Sequence, residues 1–161
     1  MKTNKSIITE LNKILALELI AINQYFLHGR ILKNWGFHAL GKSEYKESID
    51  AMKEADKIIE RVLFLEGLPN LQNLGKLNIG QNIPEILESD FALESNLRNR
   101  LLESISLCEK ESDFVSRELL GKILEESEER IDFIETQQEL IGKMGLENYL
   151  QSASQELVEL K

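Results

Sequence analysis

Apolar residues recur every three or four positions along most of the chain, the spacing that places them on one face of an α-helix. The pattern predicts a first long helix from about Ser6 to Asn34, which ends at the Trp35-Gly36 turn. A second helix is predicted to begin near Gly41 and to stop at Gly67-Leu68-Pro69. The later stripes are Leu87, Phe91, Leu97, Leu101, Ile105 and Cys108 on a third helix and Leu119, Ile123, Ile134 and Ile141 on a fourth, with a short fifth piece after Gly145.

The segment between the second and third predicted helices, residues 67–83, contains three glycines and several Asn and Gln residues. It is too long for a hairpin and predicts a crossover, while Pro84 suits the first turn of the helix that follows. Four long helices with one long crossover between the second and third predict an all-α, ferritin-like four-helix bundle. A length of 161 residues fits a single domain, 1–161.

The composition is acidic, with 28 Asp and Glu against 19 Lys and Arg, a formal net charge of −9. This charge argues against nucleic acid or an anionic membrane as partner and favours a cation as cargo. No run reaches the roughly 18 apolar residues that a membrane span needs, and the start of the chain lacks a signal-type apolar segment. The single cysteine, Cys108, is expected to be a buried packing residue, and we expect a cytoplasmic protein.

Charged residues interrupt the inward-facing stripes of all four long helices. They are Glu18 between Ile14 and Ile22, Glu54 on the stripe of Ala51, Ile58 and Val62, Glu94 between Phe91 and Leu97, and Arg130 beside Ser127 between Ile123 and Ile134. Periodicity alone leaves open a partly hydrated ion-pair cluster, or helices rotated so that some of these groups face water. Because all four helices contribute, we favour one buried polar layer in which the acids are paired with the base.

The second helix has another apolar stripe, formed by Tyr45, Ile49, Met52, Ile59 and Leu63, which faces away from the Ala51 stripe. Such a stripe needs a partner outside its own bundle, and a symmetric dimer would cover it. Taken alone, Met52 is more typical of a packing residue than of a ligand.

Several long motifs make the chain resemble a bacterioferritin over nearly its whole length. They are Glu-Leu-Ile-Ala-Ile-Asn-Gln-Tyr-Phe-Leu-His from Glu18 to His28, the stretch from Leu63 to Leu77, and helical stretches 47–61 and 123–133, which lie where bacterioferritins place their Glu-x-x-His pairs. The resemblance implies an iron-storage shell with an iron mineral core.

The resemblance also implies a di-iron ferroxidase site, but this chain departs from that pattern. Glu18 and Glu94 match the family's positions, whereas Ala51 replaces a bridging carboxylate, Glu54 a histidine, Ser127 a second carboxylate and Arg130 a second histidine. A guanidinium stays protonated and cannot coordinate a metal, so Arg130 is expected to stand in for the metal's charge. We therefore expect the di-iron site to be absent, its remnant to be Glu18, Glu54 and Glu94, and no catalytic residue to be present. His28 and His38 are expected to be surface or packing residues that cannot repair the site.

Bacterioferritins hold haem b at a two-fold interface through one Met from each subunit, and Met52 occupies that position. The resemblance gives the haem pocket the further residues Leu19, Ile22, Asn23, Phe26, Tyr45, Ile49 and Asp56. Two neutral thioether ligands favour ferrous haem and a role in electron transfer.

We therefore interpret the chain as a haem-binding, ferroxidase-deficient subunit of a twenty-four-subunit shell. It would pair as a homodimer across the haem and co-assemble with a ferroxidase-active ferritin or bacterioferritin subunit. A bacterioferritin-associated ferredoxin is a candidate partner at Leu68, Pro69, Asn70, Leu71, Lys76, Leu77 and Glu85, although Gln81 replaces an acidic docking residue of some relatives. Two alternatives stay open: a ferroxidase with an unconventional site of Glu18, Glu54 and Glu94, and a purely structural or haem-storing protein.

Overall fold

A computed structural model describes residues 1–155. Its five helices are α1 (Lys5–Asn34), α2 (His38–Phe64), α3 (Ile83–Lys110), α4 (Phe114–Met144) and α5 (Leu146–Ser154). The prediction of an all-α, ferritin-like bundle with a short C-terminal helix is confirmed. Residues 156–161 of the predicted domain lie outside the described part of the chain. Within the described part, no helix is long and apolar enough to cross a membrane.

Side-chain caps explain where most of the long helices start. The carboxamide oxygens of Asn4 and Asn82 accept hydrogen bonds from the backbone N–H groups of Ser6 and Glu85, and Asp113 accepts one from Ser116. By contrast, α2 has no side-chain cap and begins at His38, so the predicted start near Gly41 was wrong by about one turn.

The crossover, residues 65–82, runs along α1 and is attached to it at both ends. Asn12 accepts a hydrogen bond from the backbone N–H of Asn70 (2.9 Å) and donates one to the carbonyl of Leu68 (3.1 Å). Near the other end of α1, His28 accepts a hydrogen bond from the N–H of Gly80 at 3.0 Å. The crossover therefore returns the chain to the end where α2 begins, and α2 and α3 run in the same direction.

Helices α1 and α2 approach very closely at a pair of glycines. A Cβ atom built on Gly41 would lie 2.8 Å from the carbonyl oxygen of Gly29, and one built on Gly29 would lie 3.0 Å from that of Gly41. Side chains at either position would force the helices apart.

The buried apolar residues of the described chain form three clusters, two of which are large. The first contains Ile14, Leu15, Ala55, Ile58, Leu97, Leu101, Leu120 and Ile123, and the second contains Leu32, Ile83, Ile86, Leu87, Ile134 and Tyr149. On α4 the residue at the centre of the first cluster is Leu120 rather than the predicted Leu119, which is only partly buried. Between these two clusters along the helices lie the buried polar residues together with the small third cluster of Ala21, Tyr25, Ala51 and Leu93.

Candidate metal centre and its arginine

The predicted polar layer exists and is buried. Glu18 and Glu94 are 0 % exposed, and Glu54 and Arg130 are 5 % exposed. Because α1, α2, α3 and α4 each contribute one of these residues at the same level, the four side chains converge at the centre of the bundle.

The guanidinium of Arg130 is the only described cation in this layer, and it is surrounded by carboxylates. Its Nη2 atom lies 2.8 Å from Oε1 of Glu54, and its Nη1 atom lies 3.5 Å from Oε1 of Glu94. Its Nε atom donates to Glu47, and Glu126, one turn earlier on α4, lies 3.6 Å away. Burial lowers the pKa of Arg130, but the charges of Glu94, Glu54 and Glu47 raise it above its usual value. The guanidinium therefore stays positive.

Glu94 is held by groups that leave it no free oxygen. The hydroxyl of Tyr25 donates to Oε1 at 2.5 Å, and the hydroxyl of Ser127 donates to Oε2 at 2.7 Å. Burial raises the pKa of Glu94. The charge of Arg130 and the hydrogen bonds from Tyr25 and Ser127 oppose that rise. Ser127 thus stabilises a neighbouring carboxylate instead of supplying one.

Glu18 has no hydrogen-bonding donor on either oxygen, although it is fully buried. Burial and the neighbouring Glu54 raise the pKa of Glu18 well above its ordinary value. Burial likewise raises the pKa of Glu54 to about 8, although Arg130 lowers it. Burial therefore favours the protonated form of both carboxyls.

A depression between α2 and α4 connects this layer to the surface. It is lined by Ser43, Lys46, Glu47, Asp50, Glu126, Glu129, Arg130 and Phe133. Lys46 pairs with Asp50 at 2.7 Å within it. Arg130 belongs to this lining, so its side chain borders both the depression and the buried carboxylates of Glu54 and Glu94.

The outward stripe of α2 is exposed together with neighbouring residues of α1. Met52 is 53 % exposed, Leu63 56 %, Phe26 44 % and Tyr45 40 %. The rings of Phe26 and Tyr45 are 5.9 Å apart. Of the other residues predicted for the haem pocket, Leu19, Ile22 and Ile49 are partly buried, and Asn23 and Asp56 are exposed. The residues predicted for the haem pocket therefore lie at or near the surface of α1 and α2.

Sequence reasoning missed a second buried polar cluster. Of the two roles expected for His28, the surface role is wrong, because the side chain is packed inside the bundle at 0 % exposure, where its Nδ1 atom lies 3.0 Å from Oδ1 of Asp90. Glu44 and Gln24 are also buried there. Helical spacing contained a signal, since His28 continues the buried stripe of α1 and Asp90 lies one turn before Glu94.

Comparison with known proteins identifies the family to which this helical bundle belongs. A model of the ferritin-like domain matches residues 8–144. The chain is 47 % identical over 149 residues to the bacterioferritin of Brucella melitensis, covering 92 % of both chains. It is 45 % identical over 149 residues to that of Mycobacterium bovis, covering 92 % of this chain and 94 % of the relative. The chain belongs to the bacterioferritin family. A bacterial ferritin of Synechocystis is also similar, at 40 % identity over 94 % of this chain and 98 % of the relative.

Because it belongs to this family, the protein is an iron-storage protein of the ferritin-like class. Bacterioferritins form multi-subunit shells. In the buried layer, Glu18 and Glu94 supply carboxylates, whereas Ala51 offers no ligand atom and Arg130 offers only hydrogen-bond donors.

Proposed function

We propose that this chain is a haem-binding bacterioferritin subunit that lacks an intact ferroxidase centre and carries electrons to the iron mineral. The observation that carries the proposal is the guanidinium of Arg130, which lies within ion-pair distance of Glu54 and Glu94 in the buried layer. The layer is thereby balanced by a permanent organic cation.

The residues of this layer do not fit a di-iron group. A dinuclear iron site needs several anionic oxygens and two imidazoles, and no imidazole lies among the described contacts of Arg130, Glu54 or Glu94. Both oxygens of Glu94 already accept hydrogen bonds. Iron is therefore the cargo of the shell and has no oxidation site in this subunit.

The exposed stripe around Met52 does fit a haem b shared by two subunits. It combines an accessible thioether with aromatic and aliphatic surface, and a dimer would bury it. Met52 would ligate the iron, and Leu19, Ile22, Asn23, Phe26, Tyr45, Ile49 and Asp56 would surround the porphyrin. When bound, a haem with two thioether ligands supplies a one-electron carrier that favours the ferrous state.

We further propose a mixed, twenty-four-subunit shell in which a ferroxidase-active ferritin or bacterioferritin subunit oxidises the iron. Exposed crossover residues support a docking surface for a small ferredoxin, since Leu68 is 82 % and Leu71 48 % exposed. Electrons would then pass from the ferredoxin to haem and on to the mineral.

Stopped-flow mixing of the homopolymer with ferrous iron and air tests the missing oxidation site. We expect no rapid phase that saturates at two ferrous ions per subunit, because no pair of metals can be held together beside Arg130. The matched positive control is the variant that carries Ala51→Glu, Glu54→His, Ser127→Glu and Arg130→His, in which such a phase should appear. A rapid phase in the wild-type chain that Glu18→Ala abolishes would contradict the proposal.

Absorption spectroscopy of a Met52→Leu variant tests the haem site. The substitution removes the sulfur but keeps the volume, so shells should assemble while the absorption of reduced haem is lost. Met144→Leu is the matched control, because Met144 is 37 % exposed on α4 and lies outside the stripe. Haem at wild-type occupancy in Met52→Leu shells would show that another residue is the ligand.

One observation favours an alternative ferroxidase site made of Glu18, Glu54 and Glu94. Both oxygens of Glu18 are buried without a donor, and Glu47 and Glu126 of the acidic depression lie against the guanidinium of Arg130. In that alternative Arg130 swings aside as iron enters. The same stopped-flow experiment decides between the two functions.

A further inference from the structure

The second polar cluster gathers three potential metal ligands from three helices. His28 of α1, Glu44 of α2 and Asp90 of α3 each place one ligand atom within 4.8 Å of the other two. His28 and Asp90 are 0 % exposed and Glu44 is 9 % exposed. This cluster lies next to the Arg130 layer, since Asp90 is one turn before Glu94 on α3, but the inference from it does not depend on the proposed function.

The hydrogen bonds of His28 and Asp90 define which atoms are free. The backbone N–H of Gly80 donates to Nε2 of His28 at 3.0 Å, so the ring proton is on Nδ1, which donates to Oδ1 of Asp90. The carboxamide of Gln24 donates to the same Oδ1 atom at 2.9 Å. As a result, Oδ2 of Asp90 and Oε2 of Glu44 are buried without a hydrogen-bonding donor.

Among the described residues, no basic Lys or Arg side chain balances the negative charge of Glu44 and Asp90. Within residues 1–155, no Lys or Arg nitrogen lies within 4.0 Å of a carboxylate oxygen of Glu44 or Asp90. In the Arg130 layer, by contrast, an arginine supplies the positive charge. Two adjacent buried carboxylates need a cation or a proton between them.

We propose that His28, Glu44 and Asp90 bind one divalent transition-metal ion of the zinc or ferrous iron type. One imidazole and two carboxylates are a donor set that suits such ions, and they neutralise its double charge in a buried setting. Ligand atoms of one such ion lie about 2.1 Å from it, hence roughly 3.4 Å from one another. The 3.0 Å contact between Nδ1 of His28 and Oδ1 of Asp90 already holds the imidazole beside the carboxylate whose Oδ2 atom is free.

Binding through Nδ1 has a consequence for the crossover. The ring proton must move to Nε2, where it faces the N–H of Gly80 and the hydrogen bond between them is lost. Gly80 packs closely against the start of α3, because a Cβ atom built on it would lie 2.3 Å from the backbone nitrogen of Ile86. The metal therefore loosens the end of the crossover next to α3.

Calorimetric titration of the assembled, metal-free protein with zinc chloride tests the site, with cobalt(II) absorption as a second probe of the ligands. Glu44→Gln and His28→Gln should weaken the tightest zinc-binding step at least about tenfold, whereas Glu18→Gln, a change at the other buried carboxylate layer, should leave it unchanged. Thermal melting of each variant shows that it is folded.

Hydrogen exchange provides a readout that does not depend on affinity. Zinc should speed exchange in peptides that contain the amide of Gly80 in the wild-type chain but not in Glu44→Gln. Loss of the tight step in Glu18→Gln, or its retention in both Glu44→Gln and His28→Gln, would overturn the proposal. Tight binding with unchanged exchange at Gly80 would overturn the assignment of His28 as a ligand.

Discussion

Replacing Arg130 by alanine removes the one described cation from the buried carboxylate layer. The loss of the interaction between Arg130 and Glu126 costs little stability, because Glu126 is 53 % exposed and water screens the pair. Glu54 and Glu94, at 6 % and 0 % side-chain exposure, lose a partner that water cannot replace. Breaking a buried pair of this kind costs about 3 kcal/mol, which in a domain of this size lowers the melting temperature by roughly 6 to 12 °C.

The stability lost in Arg130→Ala should increase as the pH rises. Burial has raised the pKa of Glu54 to about 8, so the folded chain binds more protons than the unfolded chain and its stability falls as pH rises from about 4.5 toward 8. Without Arg130 the carboxyls are harder still to ionise, and stability falls more steeply over the same range. The difference between Arg130→Ala and the wild type should therefore be small near pH 5 and largest near pH 9.

Thermal melts of assembled shells at pH 5, 7 and 9 provide the measurement. Arg98→Ala is the control, because Arg98 is 39 % exposed and lies 3.9 Å from Glu128, so its loss should change stability by less than about 1 kcal/mol at every pH. A divalent cation should partly restore Arg130→Ala by binding the free carboxylates. If Arg130→Ala melts like the wild type at all three pH values, the guanidinium does not balance this layer.

Two further substitutions test the fold that positions the site. Gly41→Ala should destabilise the protein by about 2 kcal/mol in chemical unfolding, since its Cβ would lie 2.8 Å from the carbonyl oxygen of Gly29, whereas Gly121→Ala on α4, with no atom within 4 Å, should stabilise it by about 0.5 kcal/mol. A neutral Gly41→Ala would show that the two helices can separate freely. Asn12→Ala should leave the bundle intact but speed proteolysis of the crossover near Leu68 and Asn70, because both of its hydrogen bonds to that segment are lost. Equal cleavage rates in wild type and variant would mean that Asn12 does not hold the crossover.

Helical spacing was sufficient to predict the long helices. It also predicted that Glu18, Glu54, Glu94 and Arg130 face inward, because apolar residues lie one turn away from each of them on the same stripe. The beginning of α2 was missed since the turn before it is closed by backbone hydrogen bonds, from the N–H of Phe37 to Leu32 and from that of Gly41 to Phe37. Such bonds involve no characteristic side chain.

The partners of Arg130 could be predicted only in part. Glu54 and Glu94 followed from the stripes, but Glu47 is 25 % exposed on the edge of its helix, and only the reach of the arginine side chain brings the two together. His28 was missed for a different reason. A histidine on a helix stripe is compatible with a packed, an exposed or a ligand role, and its hydrogen bond to Gly80 depends on how the crossover returns.

The position of the charged layer between two apolar clusters has a consequence for how the helices align during folding. A slip of α4 by one turn would carry the guanidinium of Arg130 about 5.4 Å along the bundle, away from Glu94 and toward the cluster around Ile134 or the one around Ile123. An apolar residue could tolerate that slip, but an unpaired buried cation could not. Arg130 thus specifies a single alignment of the four helices, whatever it contributes to net stability.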